Sequence, residues 1–497
     1  MSPLSEAQVE RIARELAGRM GGSAPLARSR TSPAGYVARM ALTPQAPVPE
    51  PVGARLGDGV FATVDDCIEA ATIAFANLSA ATLEKRREII AAVRAAMREH
   101  GEELARHAHT ETGLGRFEHK VLKNRLVAEK TPGPEDLVPE TVTGDHGLTL
   151  TEWAPFGVIG AITPTTNPTS TIICNTIGMV SAGNSVVFNV HPGATECSMA
   201  TIRLLNRAIT GAGGPQNLIT AVARPTIGSA TELMHHGGIN LLVVTGGPGV
   251  VKAAMQSGKR SVSAGPGNPP AVVDATADIA KAARDLVHGA GFDNNIICVD
   301  EKEVLVVDSV ADKLKDVMRR SGAVEIPKSE LSRLEKVIFS KGAGPRGHAT
   351  MNRDLVGKNA EEILKAMGMP GGREVRCLIV DVPVDHPLVW TEQMMPVLPI
   401  SRVSNTDEAI DLAVQVEGGC FHTASMHSRD IEKLSRMARV SNASIFVKNG
   451  PNYTGLGNGG EGYTSFTIAS PTGEGLTGPR EFSRWRRCVV VDQLRVV

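Results

Sequence analysis

Aromatic residues make up only 3% of the 497 residues, too few for the stacking platforms that hold single-stranded nucleic acids. Charge of one sign is also lacking: 52 lysines and arginines face 53 aspartates and glutamates, a formal net charge of -1. Nothing is left to attract polyanions or an anionic membrane surface, so small molecules rather than nucleic acid are the expected partners. The longest apolar runs, such as VLVVDSV and CLIVDVPV, fall far short of the roughly 20 residues of a membrane span. The N-terminus mixes acids and bases and has no uninterrupted apolar core of the kind a secretory signal needs. Seven cysteines, at Cys67, Cys174, Cys197, Cys298, Cys377, Cys420 and Cys488, are scattered, odd in number and without CxxC spacing. A disulfide framework is excluded, and reduced thiols in a cytoplasmic protein are expected. His107, His109, His191, His235, His236, His422 and His427 have no HExxH or CxxC company; they read as structural, and no metal is expected.

What the chain does have is apolar mass. Hydrophobic residues reach 42%, and the length suits about three units of roughly 150 residues. SEAQVERIARELAGRM opens with Ser5 and Gln8 at capping-box spacing and carries Val9, Ile12, Leu16 and Met20 on one stripe, which predicts a short amphipathic helix. Residues 21–52 are rich in Pro, Gly, Ala and Ser, the composition of a linker. A helix tethered in this way fits docking on a partner, docking on its own body, or fraying.

Helical patterning runs from Asp65 to about His109, and LTLTEW near 148–153 reads as a strand. The pattern then alternates strictly: FGVIGAIT, a helix to Ala182, NSVVFNV, a helix through Ile209, LITAV, TIGSATELMHH, LLVVT, VVKAAMQ, SVSA. Short, almost wholly apolar strands separated by helices predict a Rossmann-like parallel sheet covered on both faces. A second series from about Pro269 to Val447 offers EVLVV, CLIVDV, HTASM and ASIFV, and the tail WRRCVVVDQLRVV reads as a closing strand.

Four stretches could carry chemistry. In LLVVTGGPGVVKAA a buried strand turns through Thr245-Gly246-Gly247-Pro248-Gly249 directly into a helix, where free amides and the helix dipole suit a phosphate. The GxGxxG spacing is absent, and a tight turn without ligand fits equally well. Asn167 in ITPTTNP suits an N-cap; it also stands at the carboxyl end of a buried strand, where α/β sheets bind ligands and a side-chain amide could serve an oxyanion. SVSAGPGNPPAVV reads as a hinge between two α/β units. Glu392 in EQMMPVLP has the look of a solvated or capping acid. Cys298 in GFDNNIICVDEKEVLV, taken alone, is a small buried hydrophobe.

Together these segments resemble the aldehyde dehydrogenase superfamily from about residue 55 onward. GVIGAITPTTNP is similar to its proline and asparagine segment, SAGNSVVFNVHP to its second Rossmann strand, TGGPGVV to its phosphate turn, DNNIIC to its nucleophile segment, and EQMMPV to the segment whose glutamate holds the nicotinamide ribose. The resemblance implies an α/β fold with a Rossmann-type NAD-binding domain, an α/β catalytic domain and a β oligomerisation arm. The implied divisions are a targeting helix at 1–20, a linker at 21–52, an NAD-binding domain at 53–137 and 154–262, a catalytic domain at 263–470, and an arm at 138–153 and 471–497. Cys298 would be the nucleophile and Asn167 the oxyanion donor. Thr163, Pro164, Thr165, His191, Pro192, Thr245, Gly246, Gly247, Val250, Gly265 and Glu392 would bind cofactor.

Two departures matter. Where hydrolytic members carry a general-base glutamate, this chain reads Ser263-Ala264-Gly265-Pro266-Gly267-Asn268, and the VVxK lysine gives way to Asn189-Val190-His191. Both match the CoA-acylating branch, and FDNNIICVDEK looks most like propionaldehyde dehydrogenases of bacterial microcompartments. The expectation is an NAD-dependent enzyme that converts a short-chain aldehyde, propionaldehyde, to acyl-CoA through a Cys298 thioester, with CoA as co-substrate. It would be a dimer or tetramer, lodged in a microcompartment through a shell protein that its N-terminal helix binds. The alternatives are a hydrolytic dehydrogenase that releases the free acid and a non-catalytic shell adaptor. Asp300 and Glu301 would oppose a thiolate if close, and the sequence does not name what activates Cys298.

Overall fold

The computed structural model describes residues 55–497; the helix expected at 5–20 and the linker at 21–52 lie outside the described residues. Strands Val158–Ile162, Ser185–Asn189 and Ile219–Val222 are buried at every position, as strands covered on both faces must be. They form the middle of a seven-stranded sheet in the order Arg55–Gly57, Val60–Phe61, Ile219–Val222, Ser185–Asn189, Val158–Ile162, Leu241–Thr245, Ser261–Ala264. Every neighbouring pair except the first is parallel. From Val158–Ile162 the chain steps outward on one side and then returns to Leu241–Thr245 on the other. The order therefore reverses between those two strands, which opens a crevice beyond their carboxyl ends.

A second sheet of seven parallel strands runs Ala323–Ile326, Cys377–Asp381, Val397–Val403, Glu303–Val307, Pro270–Val273, Thr423–His427, Ile445–Lys448. Three of these have no expectation in the sequence pattern. Val397–Val403 is hidden by Pro399, since a proline donates nothing to a ladder and argues against a central strand. Pro270–Val273 begins in prolines, and Ala323–Ile326 is only four residues long. Glu140–Gly144, Gly147–Pro155 and Ser483–Val491 make a third, antiparallel sheet. Its tail strand ends at Val491, six residues before the chain does, because Asp492 and Leu494 take left-handed φ of 58° and 66°.

The helical stretch expected over 65–109 divides into Val64–Ala80 and Leu83–Thr112, with Thr82 capping the second through Lys85 N–H at 3.1 Å. The helix Phe117–Lys130 has no counterpart in the periodicity. Its inward stripe contains Lys120, Lys123 and Asn124, all buried, and polar residues on the inner face erase an amphipathic signal.

Candidate active site

Cofactor candidates gather on the carboxyl edge of the first sheet. Thr163, Pro164 and Thr165 follow Val158–Ile162; Thr245, Gly246 and Gly247 close the adjacent strand; His191 and Pro192 follow Ser185–Asn189; Gly265 follows Ser261–Ala264. Gly247 sits at the N-cap of the helix Pro248–Gln256 without any side-chain cap. A Cβ placed on Gly247 or Gly249 would meet nothing within 4 Å. Bare amides at an open helix start suit a pyrophosphate. Thr163 Oγ1 is buried without a partner among the described residues, and Val250 closes the base of the turn, its methyl 2.8 Å from a Cβ built on Gly246. His191 is exposed and its Nδ1 accepts from Gly193 N–H at 3.0 Å, while Asn189 Oδ1 accepts from Ser229 Oγ at 2.6 Å. These groups fit a dinucleotide.

The nucleophile candidate comes from the second sheet's side of the molecule. After the helix Ile279–Ala290, Asp293, Asn294 and Asn295 take left-handed φ of 44°, 56° and 66° in succession. Asn and Asp tolerate this region better than other side-chain-bearing residues, and here each is tied down. Asn294 Nδ2 donates to Gly115 O and Gly357 O, and Asn295 Nδ2 donates to Ala290 O and Glu301 O. The turn ends on Cys298, which is half-buried.

The charged run behind it is not solvated: Asp300, Glu301, Lys302 and Glu303 are all wholly buried. Lys302 Nζ donates to Asn295 O at 2.8 Å, Asn295 Oδ1 at 2.7 Å and Ile297 O at 3.3 Å, directly under the turn. Burial raises the Glu301 carboxyl to about 8 and lifts Asp300 and Glu303 well above the carboxylate range. Their opposition to a thiolate is thereby reduced. The Cys298 thiol is itself pushed up to about 12, by burial first and by Glu392 second, while Lys302 pulls it down. Glu392 is half-buried rather than solvated, and burial raises its carboxyl.

Asn167 begins the helix Pro168–Ser181, yet its side chain makes no capping bond. The amide is used otherwise. Oδ1 accepts from Lys123 Nζ at 2.6 Å, and Nδ2 donates to Thr166 Oγ1 at 3.2 Å, which leaves one N–H uncommitted. Lys123 also ion-pairs closely with Asp293 Oδ2, and Lys120 reaches the same oxygen at 3.5 Å. Two ammonium groups hold the Asp293 carboxyl down to about 2, while burial pulls Lys123 down to about 8.

On the other flank, a Cβ on Gly267 would lie 2.9 Å from Cys298 O and 3.0 Å from the His422 ring. Only glycine lets this crossing segment pass so closely. His422, expected to be structural, is wholly buried; its Nδ1 bonds Thr423 Oγ1 at 2.9 Å, and its Nε2 has no partner among the described residues. Burial drops it to about 4, so it is a neutral imidazole packed against Gly267. A narrow pocket lined by Leu122, Leu126, Ile297, Tyr453, Phe466 and Lys123 opens nearby. Sequence reasoning did not single out Lys123 or Lys302.

The family model "Aldehyde dehydrogenase family" matches residues 43–467. The chain is 51% identical to the acetylating acetaldehyde dehydrogenase of Escherichia coli strain K12 over 440 residues, 88% of this chain and 94% of that one. It is similar to the crystal structure of Rhodopseudomonas palustris propionaldehyde dehydrogenase with bound CoA and an acylated cysteine, with TM-score 0.85 and 47% identity over 88% of this chain and 99% of that one. It is equally similar, at TM-score 0.85 and 46% identity over 88% and 100%, to a propionaldehyde dehydrogenase from the Clostridium phytofermentans fucose utilisation bacterial microcompartment.

Proposed function

The chain belongs to the aldehyde dehydrogenase family, and from that premise we propose that it oxidises a short-chain aldehyde with NAD and CoA to acyl-CoA and NADH through a thioester on Cys298. The observation that carries this reading is the segment that crosses Cys298: Ser263–Asn268 contains no carboxylate, and at Gly267 it passes so close that a Cβ would lie 2.9 Å from Cys298 O. Water meets no strong base in that segment, whereas a thiol with an ordinary pKa of about 8.5 is already a few per cent ionised near neutrality.

The thiolate attacks the aldehyde carbon, and the alkoxide so formed is held by the free Asn167 N–H and the Cys298 amide. Nicotinamide, when bound, would accept the hydride, and the acyl group would remain on Cys298. CoA sulfur, already partly ionised, then attacks this thioester and the C–S bond to Cys298 breaks, the CoA thiol proton having passed to solvent. Net, aldehyde, NAD and CoA thiol become acyl-CoA, NADH and a proton. Thr163, Pro164, Thr165, His191, Pro192, Thr245, Gly246, Gly247, Val250 and Gly265 would line the dinucleotide site, with Glu392 toward the ribose. CoA phosphates would reuse the turn at 245–249 once NADH has left; CoA binding indifferent to saturating NADH would rule this out.

Residues 53–137 and 154–262 form the NAD-binding domain in this reading, 263–470 the catalytic domain, and 138–153 with 471–497 the arm. Similarity to acetaldehyde and propionaldehyde enzymes supports a substrate of two or three carbons, propionaldehyde first. No helix among the described residues is long and apolar enough to cross a membrane. Likeness to a microcompartment enzyme supports residence in such a compartment, with residues 5–20 docking on a shell protein. Deleting residues 1–20 should leave turnover intact and abolish co-purification with shell proteins.

The decisive assay follows NADH from acetaldehyde, propionaldehyde and butyraldehyde, with and without CoA. Steady turnover should require CoA and vanish in Cys298→Ala; sustained CoA-independent release of carboxylic acid would instead make the enzyme hydrolytic.

A further inference from the structure

Resting on the acylating reading above, we propose that Lys123 is a positioning residue: its ammonium fixes the Asn167 amide with its N–H toward the aldehyde and ties that amide to the Cys298 segment through Asp293. An ammonium carries three donors and no acceptor, so the amide atom facing it must be oxygen. At 2.6 Å from Lys123 Nζ that atom is Oδ1, and a flip would press an NH₂ against a cation. Nδ2 is therefore the only amide atom left to face outward. The same ammonium pairs with Asp293 Oδ2, five residues before the nucleophile, and Asp293 Oδ1 accepts from Arg116 N–H at 2.7 Å. One side chain thus sets where the oxyanion donor stands relative to the sulfur.

Packing alone does not explain a lysine here. Its side chain is 3% exposed, and a buried charge is retained only with partners, at a cost that a leucine or methionine of similar volume would avoid. Asn167, for its part, gives up the capping bond that its place at the helix start offers. Lys120, 3.5 Å from the same carboxylate oxygen and 3.4 Å from Thr166 O, adds a second positive charge behind the amide, where alkoxide charge develops.

The test is a double-mutant cycle on the burst of NADH formed from NAD and propionaldehyde without CoA. Wild type should show a burst near one equivalent; no burst would remove the acylating reading and this inference with it, before any variant is compared. Given that burst, N167A should slow it about 100-fold and K123M about 10- to 100-fold, with NAD affinity unchanged. In the N167A background K123M should cost no more than about twofold further, since the two act as a unit. K123R, which keeps the donor, should recover part of the rate. A K123M burst within twofold of wild type, or an equal further loss in the N167A background, overturns the proposal. Should K123M fail to fold, K123Q enters the same cycle under the same criteria.

Discussion

A lysine with no carboxylate bonded to it among the described residues lies under the turn that carries Cys298. Lys302 Nζ spends its donors on three oxygens of Asn295 and Ile297, so its charge is not cancelled at contact distance. It opposes both burial and Glu392 in setting the Cys298 thiol. Replacing Lys302 by methionine should therefore raise that thiol further, and each unit slows reaction with an electrophile about tenfold, because the thiolate is the reactive form. Alkylation by iodoacetamide, followed by mass spectrometry, reads the effect; Cys488, which is exposed, should keep its rate as an internal reference. Unchanged alkylation of Cys298 would remove Lys302 from the account. Cys298 and Asn167 could be picked out in the sequence because the motifs around them are contiguous. Lys123 and Lys302 could not, since a lysine in a charged run, or in a helix such as FEHKVLKNRLVAEK, normally belongs to a solvated face. What brings them inward is pairing with Asp293, Asn167 and Asn295, residues 7 to 170 positions away.

At the scale of elements, the antiparallel sheet leaves an apolar face without cover among the described residues. Register places Val142 opposite Thr149 and Thr149 opposite Val489, and Trp153 opposite Trp485. Directly opposed residues share a face, and so do alternate residues along one strand. Val142, Trp485, Val489 and Val491 therefore lie on one side, and all four are exposed, at 69%, 46%, 55% and 64%. The indole rings of Trp153 and Trp485 are 3.7 Å apart and stiffen that side. This supports the reading of the sheet as an arm that a second copy covers. The double variant V142E/V489E should shift the protein to a smaller species in multi-angle light scattering with its circular dichroism unchanged; an unaltered mass would assign assembly to another surface. The strands of this sheet were visible as LTLTEW and the tail, because their alternation is regular. The face they present was not, since it depends on a register between strands more than 300 residues apart.

For the molecule as a whole, the site exists only where the two large sheets come together, and that meeting leaves ionisable groups buried around one turn. Each changes how stability depends on pH. Glu301 is wholly buried; its Oε1 accepts from Asn452 N–H at 2.8 Å and its Oε2 has no partner among the described residues. A protonated carboxyl suits such a place, and burial raises the group to about 8 from an ordinary 4.5. A folded-state pKa above the unfolded one means that the folded chain holds the extra proton. The contribution is then complete below about pH 4.5 and is lost as pH climbs through 8, at about 1.4 kcal/mol per pH unit in between. Histidines His119, His422 and His427, each lowered to about 4 by burial, act with the opposite sign, but only below about pH 6.5. The interval from pH 6.5 to 8 is thus free of their influence. Glu301→Gln keeps the shape of the protonated acid and does not titrate, so its thermal midpoint relative to wild type should climb by roughly 2 °C between pH 6 and pH 8, the equivalent of about 2 kcal/mol in a chain of this size. A difference that stays flat across that range would mean that Glu301 is ionised in the folded protein, with a cation nearer to it than Lys302 now stands.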